Sequence, residues 1–171
     1  MNGGDVDEWK KHSEIKKRLA PIADSYIDLP IEQWPKIDIN WDLSDEGMRF
    51  TLDGINAIQF RNSYPDGLLI RWVKLNELND ALCPYNKRTL TETWEVGFKD
   101  KLARVIAWAA DGQPLTPIFI SLNRALGNKL KLEGGNHRYA MINAKNLASI
   151  PVLFNESEKT EIKKLISLGE S

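Results

Sequence analysis

The stretch Gly134-Gly135-Asn136-His137-Arg138 puts two glycines, an amide, an imidazole and a guanidinium in consecutive positions. An apolar run precedes it and a helical pattern follows. That order suits an anion. Glycine lets backbone approach a ligand closely. The first turn of a helix presents N–H groups with no intrahelical partner and a partial positive charge. His137 and Arg138 add side-chain donors, and a guanidinium fork matches phosphate oxygens in bidentate fashion. The plain alternative is a tight strand-to-helix turn, with His137 a buried, hydrogen-bonded histidine.

If a phosphate is to be hydrolysed there, a water needs an orienting carboxylate. Glu133 directly precedes the glycines, and Asp100 and Glu77 are the other candidates. Glu133 reads also as a metal-binding carboxylate or, more simply, as a solvated surface acid, and no metal ligand set is assigned. Cys83 is the only cysteine. It can form no internal disulfide, and no Cys/His cluster has zinc spacing.

The elements that must hold these residues follow from hydrophobic period and turn signals. Residues 5–20 read as a charged helix with Trp9, Ile15 and Leu19 on one side. Pro21, Pro30 and Pro35 turn residues 21–45 into an irregular arm, whose Trp34 and Trp41 are expected to pack on the core. Residues 48–60 read as a hairpin about Asp53-Gly54. A turn at 64–67 leads to a strand over 68–75 and a loop over 79–89. Phe98, Leu102, Val105, Ile106 and Ala109 have helical spacing, stopped by Asp111-Gly112-Gln113-Pro114. Strands are expected at 117–122, 130–133 and 150–154. A helix is expected at 136–144, with Asn136 as its N-cap. A charged helix over 156–168 closes the chain. The order predicts an α+β class, a small mixed sheet packed with helices and carrying helical extensions at both ends. The expected division is an N-terminal extension over 1–65, a nucleotide-binding domain over 66–156 and a C-terminal helix over 157–171.

Composition bounds the function. The chain has 171 residues, 42% hydrophobic and 27% charged, with a formal net charge of −1. It has apolar content for a core and is no polycation. Charge is uneven, however: residues 84–145 carry ten Lys and Arg against five Asp and Glu, and the remainder is acidic. That local excess suits a DNA backbone or a solvated face equally. No apolar run reaches the length of a membrane span, and the first residues lack the pattern of a secretory signal, so a cytoplasmic location is expected.

Over roughly residues 70–155 the series of motifs resembles the ParB/sulfiredoxin superfamily. Residues 73–78 look like the opening strand of a ParB-type domain, and residues 84–88 like its polar loop. Leu102 to Ile106, Gly112 and the strand at 117–120 resemble the segment before the signature. Residues 134–140 look like the signature itself, and residues 150–152 like the strand after it. Sulfiredoxins carry Gly-Gly-Cys-His-Arg with a catalytic thiolate, and ParB proteins often carry Glu at that place. This chain has Asn136, which is neither nucleophile nor general base at neutral pH. That change sets sulfinic acid repair aside and argues against CTP-clamp chemistry.

The resemblance implies a nucleotide, ATP or another nucleoside triphosphate, with Mg²⁺ bridging its phosphates. It assigns Gly134, Gly135, Asn136, His137, Arg138, Arg88 and Lys101 to nucleotide contact; the catalytic candidates are His137 and Arg138, with Glu133 taken from the sequence as the water-orienting carboxylate. It implies ATP hydrolysis and DNA cleavage. Size and architecture resemble the osa-type plasmid fertility-inhibition proteins, which implies a plasmid or conjugation setting. The alternative is a non-catalytic nucleotide- or anion-binding module that engages a protein partner.

Overall fold

Alternation of apolar and polar residues along the strands decides how the chain layers itself. The computed structural model describes residues 3–48, 50–52, 57–95 and 97–170. The sheet has four strands, β1 (Leu69–Lys74), β2 (Ile118–Asn123), β3 (Lys129–Gly134) and β4 (Ser149–Phe154), in the order β1-β4-β2-β3. β1 pairs antiparallel with β4, β2 antiparallel with β3, and β2 parallel with β4. A parallel neighbour requires a crossover. Here β3 and helix α6 (Asn136–Ala144) supply it.

Ile118, Ile120, Leu122, Leu130, Leu132, Ile150, Val152 and Phe154 turn to one face and form the main core with Tyr139 to Ile142 of α6. Each fully buried aliphatic side chain contributes about 1.5–3 kcal/mol relative to exposure. The ion pairs sit mostly on exposed side chains, such as Lys36–Asp38, and contribute little beside that core. The opposite sheet face is split. Phe119, Leu153 and Ile70 pack under Met48, Leu52, Phe60 and Tyr64 from the N-terminal segment. Ser121, Lys131 and Glu133 make its polar half.

Helix α5 (Lys99–Ala110) is buried on two sides. Leu102, Ile106 and Ala109 face the sheet. Ala103 and Ala107 face Leu19 and Ala23 of α1 (Gly3–Asp24). Asp111 and Gly112, the latter at φ 77°, end α5 as the sequence predicts. Arg18 of α1 forks onto Asp111 at 2.9 and 2.6 Å. Trp34 is buried and Trp41 packs against the core, as expected of the arm.

Four expectations need correction. Helix α1 runs through Pro21 to Asp24 rather than stopping before it. The segment around the expected hairpin is helical on both sides, in α2 (Asp45–Met48) and α3 (Ala57–Ser63); its Asp53-Gly54 turn lies outside the described residues. Met48 and Phe60 use their apolar surface to cap the open sheet face instead of pairing as strands. The strand expected over 68–75 is β1, but the residues to 78 that resemble a ParB opening strand, with the start of the loop expected over 79–89, form α4 (Leu75–Ala81). Leu75 and Leu78, three apart and buried, carry the helical spacing that the adjoining apolar strand obscures. The long C-terminal helix is a 3₁₀ turn at Glu156–Glu158 and a short α7 (Lys159–Ile162), with Ile162 and Ile166 buried.

Candidate anion site at the start of α6

Helix α6 opens on Gly135, which holds φ 90° and acts as the N-cap. Only glycine adopts that conformation without strain. The Tyr139 N–H donates to the Gly135 carbonyl at 2.8 Å, the first bond of the helix ladder. Asn136 is therefore the first helical residue and not the cap that the sequence suggests. It is exposed. Its side-chain oxygen receives the Asn86 amide at a long 3.4 Å.

Asn86 ties this corner together. It is 7% exposed, and its own oxygen accepts the Leu132 N–H at 3.2 Å on the outer edge of β3. The rest of the polar loop runs beside α6. Asn143 donates to the Arg88 carbonyl at 2.9 Å and accepts from Asn79 at 2.9 Å. The Tyr139 hydroxyl donates to Asn79 at 2.7 Å. Burial pushes the Tyr139 phenol up to about 12, and the Arg88 charge draws it partly back. The sequence pointed to Asn136 and Arg88 but missed Asn79, Asn86 and Asn143. The signal available was a helical stripe, Asn136, Tyr139 and Asn143, facing a loop rich in amides.

The expected phosphate ligands are placed less uniformly. Arg138 turns inward. Its guanidinium donates to the carbonyls of Thr116 at 2.5 Å, Pro117 at 3.3 Å and Thr51 at 2.8 Å. Gly134 lies against the Thr51 carbonyl and the Leu52 side chain, and a Cβ on Gly135 would meet Ile118 at 2.9 Å and Arg138 at 3.0 Å. The two glycines thus permit close internal packing. The Nε2 of His137 is sealed from solvent. Arg88 folds its guanidinium back onto the Tyr85 and Lys87 carbonyls at 2.9 and 2.8 Å. Lys101 lies over the Phe98 ring, 5.0 Å from its centre.

Glu133 stands apart from this group. The β2–β3 register shifts between Phe119 and Ile120, and Glu133 falls in the irregularity. Its carboxylate accepts from Ser121 at 2.6 Å and pairs with Lys131 at 2.6 Å, on the sheet face opposite α6. Burial raises its carboxyl, and the Lys131 and Ser121 bonds outweigh that, so it lies below the usual carboxylate range. Asp100 pairs with Arg104, and Glu77 accepts from Ser167. The structure brings Asn86, Asn136 and the Arg88 loop together and leaves the carboxylates elsewhere. Among the described residues no group of three or more His, Cys, Asp or Glu is placed to hold a metal ion. Glu133, Asp100 and Glu77 each engage partners away from this corner, and a Mg²⁺ arriving on nucleotide phosphates would require no protein cage.

No family model matches the chain. No curated protein matches it either. A solved structure does: the oncogenic suppression activity protein, a plasmid fertility inhibition factor, crystallised as a gold(I) cyanide derivative. The TM-score is 0.50 and the identity 17%, over 95% of this chain and 87% of that one. At that identity the likeness is one of fold. It extends beyond the 66–156 segment, because the match covers 95% of the chain. No described helix is long and apolar enough to cross a membrane.

Proposed function

We propose that the chain is a plasmid fertility-inhibition-type protein that takes a nucleoside triphosphate, by its phosphates, at the start of α6. The observation that carries this reading is the junction made by Asn86. It links the polar loop and the β3 edge to Asn136, on the first turn of a helix that opens on a left-handed glycine. The backbone there offers donors and a positive dipole end. Asn136 and Asn86 add amide donors, Arg88 and Arg138 are the nearby cationic groups of the loop and signature, and His137 is the imidazole between them in sequence. The plasmid setting is supported by the fold shared with a protein described as a plasmid fertility inhibition factor.

Hydrolysis of ATP and cleavage of DNA are the finer parts of the reading. Both need a group that orients water, and Glu133, held by Ser121 and Lys131 on the sheet face opposite α6, does not stand at this corner in the present arrangement. The second reading is a module that engages a protein partner without turnover. It is favoured by the internal bonding of Arg138, Arg88 and Glu133.

Calorimetry with ATP and Mg²⁺ tests the proposal, alongside phosphate release. Asn136→Ala should weaken ATP binding by roughly three- to tenfold, the worth of one or two hydrogen bonds. Absence of binding at millimolar ATP would end the reading. Binding with phosphate release no greater than that of a protein-free control assigns the second reading. For DNA, retention should fall steeply with salt if phosphate contacts dominate.

A further inference from the structure

The N-terminal arm reaches into the signature turn. Thr51 is 1% exposed. Its hydroxyl donates to the Pro117 carbonyl at 2.9 Å, and its own carbonyl accepts from Arg138 at 2.8 Å. The same carbonyl and the Leu52 side chain lie against Gly134 where a Cβ would stand. Thr116 donates back to the Gly47 carbonyl at 3.4 Å, and Met48 and Leu52 anchor the segment in the smaller core. The segment holds itself in a turn through the Phe50 N–H to Gly47 and the Thr51 N–H to Met48, each at 3.0 Å.

These contacts occupy what a phosphate would need. A backbone carbonyl carries partial negative charge, and three of them on Arg138 satisfy the fork that would otherwise meet phosphate oxygens. We infer that the segment ending at Leu52 is an autoinhibitory strap over the glycine turn. With the strap seated, Arg138 serves the fold. With the strap lifted, the Nη2 of Arg138 and the backbone of Gly134 become available to a polyphosphate, while Nη1 stays on the Thr116 and Pro117 carbonyls. This rests on the phosphate reading above and adds its regulation. Binding and strap seating then oppose each other, and the measured affinity is lowered by the fraction of molecules with the strap seated.

Thr51→Val removes the hydroxyl bond to Pro117 and keeps the side-chain shape. It should bind ATP with Mg²⁺ at least about fivefold more tightly than the unaltered chain, because a loosened strap competes less. On the unaltered chain, saturating ATP with Mg²⁺ should speed amide exchange at Phe50 and Thr51, a readout that needs no variant to fold. Equal affinities with unchanged exchange at those amides would overturn the strap and leave phosphate binding standing. No binding by either protein would overturn both.

Discussion

At the scale of the residue, Arg138 separates what was legible from what was not. Its place in the chain beside two glycines reads as phosphate chemistry, since those residue types in that order suit an anion. Its environment is decided by Thr51 and Thr116, which are remote in sequence and carry no pattern that marks their carbonyls as partners. A side chain's identity is local information, whereas the acceptor it finds is tertiary. The same holds for Glu133, whose proximity to the glycines in sequence does not survive strand alternation, which sends it to the other sheet face. Arg138→Lys tests how much the fork matters. An ammonium cannot span carbonyls on separate segments. The substitution should cost about 2–4 kcal/mol in urea unfolding, the range for charge-assisted bonds lost with their acceptors left unsatisfied. A cost within experimental error would show that the carbonyl contacts are incidental to stability.

At the scale of the element, period and punctuation carried the reading where burial is one-sided. The helix over Asn136–Ala144 and the strands β2, β3 and β4 follow from alternation and from Gly127, Gly135 and Asn146, each at positive φ. Helix α4 was missed because it follows β1 with no intervening loop. It also bears on the site, since Asn79 on α4 holds Tyr139 and Asn143 on α6. This clasp gives a pH signature. The Tyr139 phenol stands at about 12 in the fold, against about 10 in an unfolded chain. Between those values the unfolded state has lost its proton and the folded state has kept it. Stability linked to this group is therefore unaffected below about pH 10 and falls as pH rises from there to about 12. Denaturant midpoints across that range should decline more steeply for the unaltered chain than for Tyr139→Phe. Parallel slopes for the two proteins would mean that the phenol is not held neutral by burial.

At the scale of the whole molecule, a four-stranded sheet with β1 and β3 outermost has two edges to protect. The β3 edge is closed by the segment after α4, through the Cys83 N–H to the Leu130 carbonyl at 2.7 Å and Asn86 on Leu132. The corner proposed to take phosphate and the edge guard are thus the same residues. The β1 edge is closed differently. Arg71 donates to the Ile70 carbonyl at 2.6 Å, and the Gly169 N–H donates to the Trp72 carbonyl at 2.8 Å. Ser167 is fixed nearby by Glu77 at 2.7 Å. A side chain at 169 would lie 3.2 Å from the Trp72 carbonyl, so glycine there permits the close approach. Gly169→Pro removes the donor and adds bulk at once. The tail should then leave β1, and the freed carbonyl row should template pairing with another copy. Sedimentation at rising concentration should give a larger weight-average mass than the unaltered chain at each concentration. Identical masses throughout would show that Arg71 alone guards this edge, and that the tail's contact with Trp72 does not limit association.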